Sequence, residues 1–334
     1  MTTRPKFRFS LRALLIFVAI STVLSAWLGI KYAQLQREAK IVEQLLKHNA
    51  QITSHSRADS FFDSFTDPFA LPAYDISLEH TDMEELKLIQ LVGKLRHVRN
   101  LFYTPKEDLR ELENLTELRV LELTGWTQES LEGIENCRKL EKLYLYNGDR
   151  IQTLEPLRGM NKLEYFYQSL EDTTHLNVEP EVVATWENLR VFEILACDNV
   201  SLRGFEHLQD LETLDIGHAD DVSGFEALEN MKTLRRLSLP NCSSLETLDF
   251  CREMSQLREL VLYDCAHLKN VDGISGLKNL EKIWLTNCKE LSDLSAFEKL
   301  TSLKKLTIVG GPSDNLAQRE SLQKALPKTN IRFR

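Results

Sequence analysis

The chain has 334 residues, with 41 Lys and Arg against 50 Asp and Glu and a formal net charge of −9. That acidic balance argues against a nucleic-acid binder, which needs a basic footprint to neutralise phosphates. A hydrophobic content of 43% rules out wholesale disorder, and six cysteines in so long a chain do not frame a disulfide-bonded mini-protein. Leucine is the outlying number, 57 of the 334 residues and often three apart, so the pattern points to an architecture before any chemistry.

Residues 1–12 carry Arg4, Lys6, Arg8 and Arg12 and no acid. Residues 13–30 then run without a charge until Lys31. As a helix this run spans roughly 27 Å at about 1.5 Å per residue, close to the hydrocarbon thickness of a bilayer. Trp27 stands near one end, where an indole suits the interface. The run predicts a transmembrane helix. A cleaved signal peptide is the rival, but the small residues that cleavage needs are poorly placed, with Leu24 paired to Ala26 and Ala19 with Ser21 too early. The dense basic tail predicts a cytoplasmic N-terminus, with the large remainder outside the membrane. Without residues 1–31 there are 36 bases against 50 acids, or −14, which disfavours anionic lipid as well as nucleic acid.

Residues 34–46 place Leu35, Ile41 and Leu45 at helical spacing, continuing outward from the span. Residues 51–56 read as a capping strand. Between them and the next pattern lies an aromatic stretch, Phe61, Phe62, Phe65 and Phe69, which either covers the first coil or meets the membrane surface.

From there the chain is periodic. A unit L-x-x-L-x-L begins at Leu118, Leu140, Leu163, Leu189, Leu211, Leu234, Leu257, Leu280 and Leu303, with spacings of 22, 23, 26, 22, 23, 23, 23 and 23. Two degenerate copies precede it, Ala73-x-x-Ile76-x-Leu78 and Val98-x-x-Leu101-x-Tyr103. The L-x-L stretch alternates and reads as a short strand with its leucines on one side. After it, apolar residues fall every third position (Cys265, Leu268, Val271, Ile274, Leu277, Leu280), which suits 3₁₀-like turns better than an α-helix. One such coil cannot bury its apolar side alone, so neighbours must stack. Adjacent strands then pair in parallel about 4.8 Å apart, and eleven coils give a curved sheet roughly 50 Å long.

A period of 20–29 residues with this core resembles the leucine-rich repeat. The segment F-R-F-S-L-R at residues 7–12, the apolar span, Q-R-E-A at 36–39, the repeats and K-A-L-P at 324–327 together look like bacterial membrane-anchored leucine-rich-repeat proteins. The resemblance implies an α/β solenoid: a curved leucine-rich-repeat horseshoe with a parallel concave sheet, preceded by one transmembrane helix. The domains follow as a basic cytoplasmic tail at 1–12, an anchor at 13–30, a juxtamembrane helix and N-terminal cap at 31–72, about eleven coils at 73–310 and a C-terminal cap at 311–334. In that last segment Ser313 or Asp314 caps a helix through Ala325, Pro327 stops it, and residues 329–333 form a final strand. What the resemblance implies of function is a recognition scaffold, with no reaction or ligand attached.

The chemistry-bearing motifs are missing. There is no G-x-G-x-x-G, no G-x-x-x-x-G-K-[ST] and no H-E-x-x-H. Cys197, Cys242, Cys265 and Cys288 each stand eight residues after a unit's first leucine. Buried free thiols are the expectation; the alternatives are disulfides within the ladder that consecutive coils make of Cys242, Cys265 and Cys288, and a metal site, which no C-x-x-C accompanies. His218, Asp220 and Asp221 share one turn but read as solvated surface. No cofactor, metal or small-molecule substrate is expected, and no catalytic residue can be named.

The outward row of the concave strands is the informative surface. It carries Tyr144, Tyr146, Tyr165 and Tyr167, and further along Tyr263 and Trp284, six of the chain's twelve Tyr and Trp residues. Such side chains supply contact area with few torsions to freeze, which interfaces favour; they also suit strands for stability alone. Charges interleave: Glu122, Lys142, Glu193, Asp215, Arg236, Glu259, Lys282 and Lys305. The expectation is a membrane-anchored, non-catalytic scaffold that binds a protein or peptide on its concave face. The alternative is a structural spacer of the cell envelope without a specific partner.

Overall fold

The computed structural model describes residues 11–55, 73–78, 85–95, 97–105, 109–125, 130–146, 151–169, 176–195, 197, 199–219, 221–310 and 316–333, and the side chains of these apart from 11–20, 24, 28, 55, 73, 85–88 and 111. The aromatic stretch 61–69, the basic residues of 1–10, and Ser313, Asp314 and Asp220 lie outside it.

The periodic leucines build one sheet of thirteen strands among the described residues. In chain order its strands are β1 (Gln51–His55), β2 (Ala73–Ser77), β3 (Val98–Tyr103), β4 (Val120–Thr124), β5 (Lys142–Tyr146), β6 (Tyr165–Ser169), β7 (Val191–Ile194), β9 (Thr213–Ile216), β11 (Arg236–Pro240), β12 (Glu259–Tyr263), β13 (Lys282–Thr286), β14 (Lys305–Val309) and β15 (Asn330–Phe333). β1 pairs antiparallel with β2, and every later pair is parallel. Two short strands, β8 (Asn199–Ser201) and β10 (Asp221–Ser223), pair separately.

Register places equivalent residues of successive coils side by side. The column Leu121, Leu143, Phe166, Phe192, Leu214, Leu237, Leu260 runs along the inside, and all of these are fully buried. Opposite the sheet the three-residue spacing forms 3₁₀ turns, such as Ile134–Asn136, Glu155–Leu157, Phe205–His207, Asp272–Ile274 and Ser295–Lys299. Their apolar residues meet the strand leucines in one continuous core. Coils approach closely enough that Gly204, at φ +89°, would bring a Cβ to 2.3 Å from the Pro180 carbonyl oxygen, a position for glycine alone.

Each of the regular C-terminal coils leaves its strand through a left-handed residue: Asn241, Asp264 and Asn287 all have positive φ. Asn and Asp tolerate that conformation better than other side chains. The following cysteine turns inward, and its thiol donates to the carbonyl two residues back, Cys242 to Pro240 at 3.3 Å, Cys265 to Tyr263 at 3.4 Å and Cys288 to Thr286 at 3.5 Å. All six cysteines are buried free thiols.

The Leu163 unit departs from the pattern read in the sequence. Its sixth residue is Gln168, in the inward column between Leu145 and Ile194. This amide is fully buried, and among the described residues neither its oxygen nor its nitrogen has a hydrogen-bond partner. The same 26-residue coil holds the extra helical turn Pro180–Val183 and an aromatic core. Phe166 lies 5.4 Å from Trp186 and 5.5 Å from Phe192, which meets Phe205 edge-on at 5.1 Å. The Trp186 indole nitrogen donates to the Leu157 carbonyl at 3.0 Å.

At the N-terminal end, α1 (Leu11–Lys47) is one continuous helix of 37 residues. Its C-terminal part closes the solenoid. Leu45 is fully buried, Ile41 and Val42 pack on the core, and Tyr74 donates to buried Glu38 at 3.4 Å. Burial, reinforced by Glu38, pushes the Tyr74 phenol up to about 12. The expected transmembrane helix at 13–30 is not found in the described set: no helix there is long and apolar enough to cross a membrane. The side chains of 13–20, 24 and 28 fall outside the description, and beyond residue 30 the helix becomes charged. At the other end the helix Leu316–Ala325 packs Leu322 inward and β15 adds to β14.

Candidate functional site

On the opposite side of the strands from the leucines lie three rows of side chains, and the register dictates which ones meet. Tyr144 of β5 pairs with Tyr167 of β6, and Tyr146 with Ser169. One residue type at alternate positions on two neighbouring strands therefore gathers four rings. Tyr144 and Tyr165 have ring centres 5.0 Å apart, and Tyr146 and Tyr167 5.2 Å. Tyr144 lies 6.3 Å from Tyr146, with planes 1° apart, and 6.3 Å from Tyr167. The β6 rings tilt by 34° to 48° from those of β5. All four are half-buried.

Carboxylates border this platform. In the middle row Glu122 precedes Tyr144, and Glu193 then Asp215 follow Tyr167. The Tyr165 hydroxyl donates to Glu193 Oε2 at 3.3 Å. Burial pushes the phenols of Tyr144, Tyr146 and Tyr165 up, with Glu122 or Glu193 adding to the effect, so near neutral pH they remain uncharged hydroxyl donors. Burial also raises the Glu193 carboxyl, as does the charge of Asp215. Asp215 in turn is held by Arg236, which donates from Nε at 3.0 Å and from Nη2 at 2.8 Å and also pairs with Glu259.

Tyr263 of β12 and Trp284 of β13 form a separate patch, with ring centres 6.4 Å apart. From β6 to β12 there are four strand spacings, roughly 19 Å, and from β5 to β13 six, roughly 29 Å. Trp284 is 39% exposed, and Lys305 Nζ sits 5.1 Å from its ring centre. Between the two patches the middle row closes: Ser238 and Val261 are buried.

Other side chains add to this picture. Phe102 pairs with Glu122 in the same row and stands two strands from Tyr144, with Glu122 between them. Ion pairs also link residues one repeat apart at the rim, Arg119 to Glu141 at 2.6 Å, Arg190 Nε to Glu212 at 2.9 Å and Lys304 to Glu281 at 2.7 Å. An open depression of about 470 Å³ there is lined by Arg190, Glu212 and Arg235, whose charges already answer one another. Comparing residues 22 or 23 positions apart would have revealed these pairs in the sequence. Asp221 accepts a hydrogen bond from Ser243 at 2.7 Å, and among the described residues no cluster of His, Cys, Asp and Glu could hold a metal ion.

A family model described as Zer-1-like leucine-rich repeats matches residues 225–325. No curated protein matches the chain by sequence. Among solved structures, internalin InlF from Listeria monocytogenes is similar at 15% identity and a TM-score of 0.57, over 78% of this chain and 82% of that one. Internalin C2 from the same organism is similar at 19% identity and a TM-score of 0.47, over 57% and 80% of the two chains. The plant peptide hormone receptor RGFR1, solved in complex with RGF2, is similar at 14% identity and a TM-score of 0.48, over 78% and 50%. At 15% identity the likeness to InlF is one of fold. With nine repeat units and two degenerate copies stacked on one largely parallel sheet, and with that match over residues 225–325, the chain is a leucine-rich-repeat solenoid.

Proposed function

We propose that the protein is a non-catalytic recognition scaffold that binds a protein or peptide through its concave sheet. Tyr144, Tyr146, Tyr165 and Tyr167 form the centre of the contact, and Tyr263 with Trp284 a second footing. One observation carries the reading: four tyrosines in mutual ring contact on the open side of two strands, where the core already has its own aromatics. Rigid, preformed rings with hydroxyls at their tips are what an interface uses at its centre. No nucleophile and base are brought together there, so no reaction is assigned.

The reading includes a tether. Residues 13–30 span the cytoplasmic membrane, with the basic N-terminus in the cytoplasm and the repeats outside. Supporting this are the eighteen uncharged residues and their place in a continuous helix. Val23 and Ile30 are 70% and 68% exposed, more apolar surface than a helix in water shows readily. Ser25 donates back to the Ser21 carbonyl at 2.7 Å, an arrangement that satisfies a hydroxyl without water. Because the same helix packs on the first coil, the tether would hold the solenoid at a fixed attitude to the bilayer.

Photo-crosslinking from position 167 of the full chain in intact cells tests the scaffold. One dominant adduct, lost on Tyr144→Ala, is expected; the absence of a dominant adduct favours the spacer reading. Protease added to intact cells tests the tether. Digestion of the repeats is expected, and protection until lysis would reverse the orientation.

A further inference from the structure

Aromatic rings occur at two places on the concave sheet, and they differ in what the chain lays against them. Over Trp284 it places its own cation, the Lys305 ammonium. Among the described residues no Lys or Arg covers the tyrosine rings in that way; the cation contacts fall on Trp27, Trp284 and Phe333. Instead the platform borders on acids. Glu122 and Glu193 both act on Tyr144 and Tyr146 through their charge, and Glu193 takes the Tyr165 hydroxyl proton as its hydrogen bond. Of the bases nearby, Lys142 stands opposite Tyr165 in the register and is exposed but covers none of the rings, and Arg236, three strands from Tyr165, is committed to Asp215 and Glu259.

Ring faces carry negative electrostatic potential, and tilted rings let a group between them touch more than one face. Partly desolvated carboxylates beside such faces strengthen the pull on a positive charge and repel a negative one. An apolar side chain would leave burial still acting on Glu193, which only the Tyr165 hydroxyl and the charge of Arg236 offset, and an acidic one would add repulsion. A basic one places a cation on ring faces that no described Lys or Arg of this chain covers. A peptide laid across the strands in extended form reaches about 3.3 Å per residue, so six or seven residues bridge from the tyrosines to the Trp284 patch.

We propose that Tyr144, Tyr146, Tyr165 and Tyr167, with Glu122 and Glu193, receive a Lys or Arg side chain of an extended peptide segment. The proposal rests on the function proposed above and names the chemistry of its partner.

The test is selection of a random heptapeptide library on the full chain in detergent micelles, with the eluted pools sequenced. Three proteins are compared: the unaltered chain, Tyr144→Ala/Tyr165→Ala and Glu193→Gln. The unaltered chain is expected to enrich Lys and Arg about fivefold at one position and to deplete Asp and Glu, and both variants to return that position toward the library frequency. Glu193→Gln removes the charge and keeps the shape, and a thermal melt confirms its fold. A pool that depends on the tyrosines but shows no basic enrichment overturns the cation proposal and leaves the scaffold reading standing. A pool identical for the unaltered chain and the tyrosine variant overturns both. Basic enrichment that survives Glu193→Gln overturns the part given to that carboxylate.

Discussion

The coils around Tyr144–Tyr167 and those around Trp284 use the same repeat and solve different problems. Near Trp284 the spacing is a steady 23 residues, the inward column is Ile283 and Leu285, and the exposed indole is met by Lys305 from the next coil. Around the tyrosines the spacing opens to 26. The core there is filled by Phe166, Trp186, Phe192 and Phe205, and it buries the unpartnered amide of Gln168. Above that core the surface gathers phenols against acids. The regular region satisfies itself. The irregular one buries Gln168 in its core, out of a partner's reach, and half-buries Glu193 on its open face. The second is a cost that a bound partner would relieve, and this is where a recognition site is expected to sit.

Substitutions at both places can break or sharpen that contrast. The largest effect is expected from Trp186→Ala, which empties a fully buried site and loses the bond to Leu157, costing about 3–5 kcal/mol. Urea unfolding measures it, and a loss below 1 kcal/mol would mean the aromatic core is not what supports the tyrosine strands. Gln168→Leu runs in the opposite direction. It replaces an orphaned amide by the residue type of its own column, so stability rises by about 1–3 kcal/mol. Destabilisation there would show that the amide is satisfied in solution. The matching replacement in the regular region, Leu285→Ala, costs about 2–5 kcal/mol with no compensating gain available.

Smaller effects follow at the surface. Lys305→Ala removes the cation over Trp284 at a cost of about 0.5–1 kcal/mol. Glu193→Gln is expected to raise the melting temperature slightly at neutral pH. Its carboxyl titrates above the ordinary value in the folded chain, so the folded state holds that proton more tightly than the unfolded one. The charged form therefore weakens the fold above the folded pKa, and the penalty fades as pH falls through it. The gain from Glu193→Gln should vanish on acidification, and a gain that grows instead would contradict the assignment.

Much of the fold was legible in the leucine spacing. The alternating L-x-L placed each strand, and the three-residue spacing after it placed the 3₁₀ turns, because both periods report which side chains must face one core. Gln168 was not legible as a buried residue, since its burial comes from Leu145 and Ile194 on either side and not from its own polarity. The left-handed turns at Asn241, Asp264 and Asn287 were written 23 residues apart, next to the cysteines that drew the attention. On the concave side the alternation placed the four tyrosines on the open face. Their mutual contact needed the cross-strand register, and so did the bond from Tyr165 to Glu193. Lys305 over Trp284 was hidden for the same reason: the two lie on different coils, and only stacking joins them.

The central claim is that recognition belongs to the tyrosine platform more than to the tryptophan patch. The most direct measurement is the affinity of one selected heptapeptide for two variants of the full chain, Tyr144→Ala/Tyr165→Ala and Tyr263→Ala/Trp284→Ala. The account predicts a loss of about thirtyfold or more for the first and of only a few-fold for the second. Equal losses, or a larger one at Trp284, would contradict it.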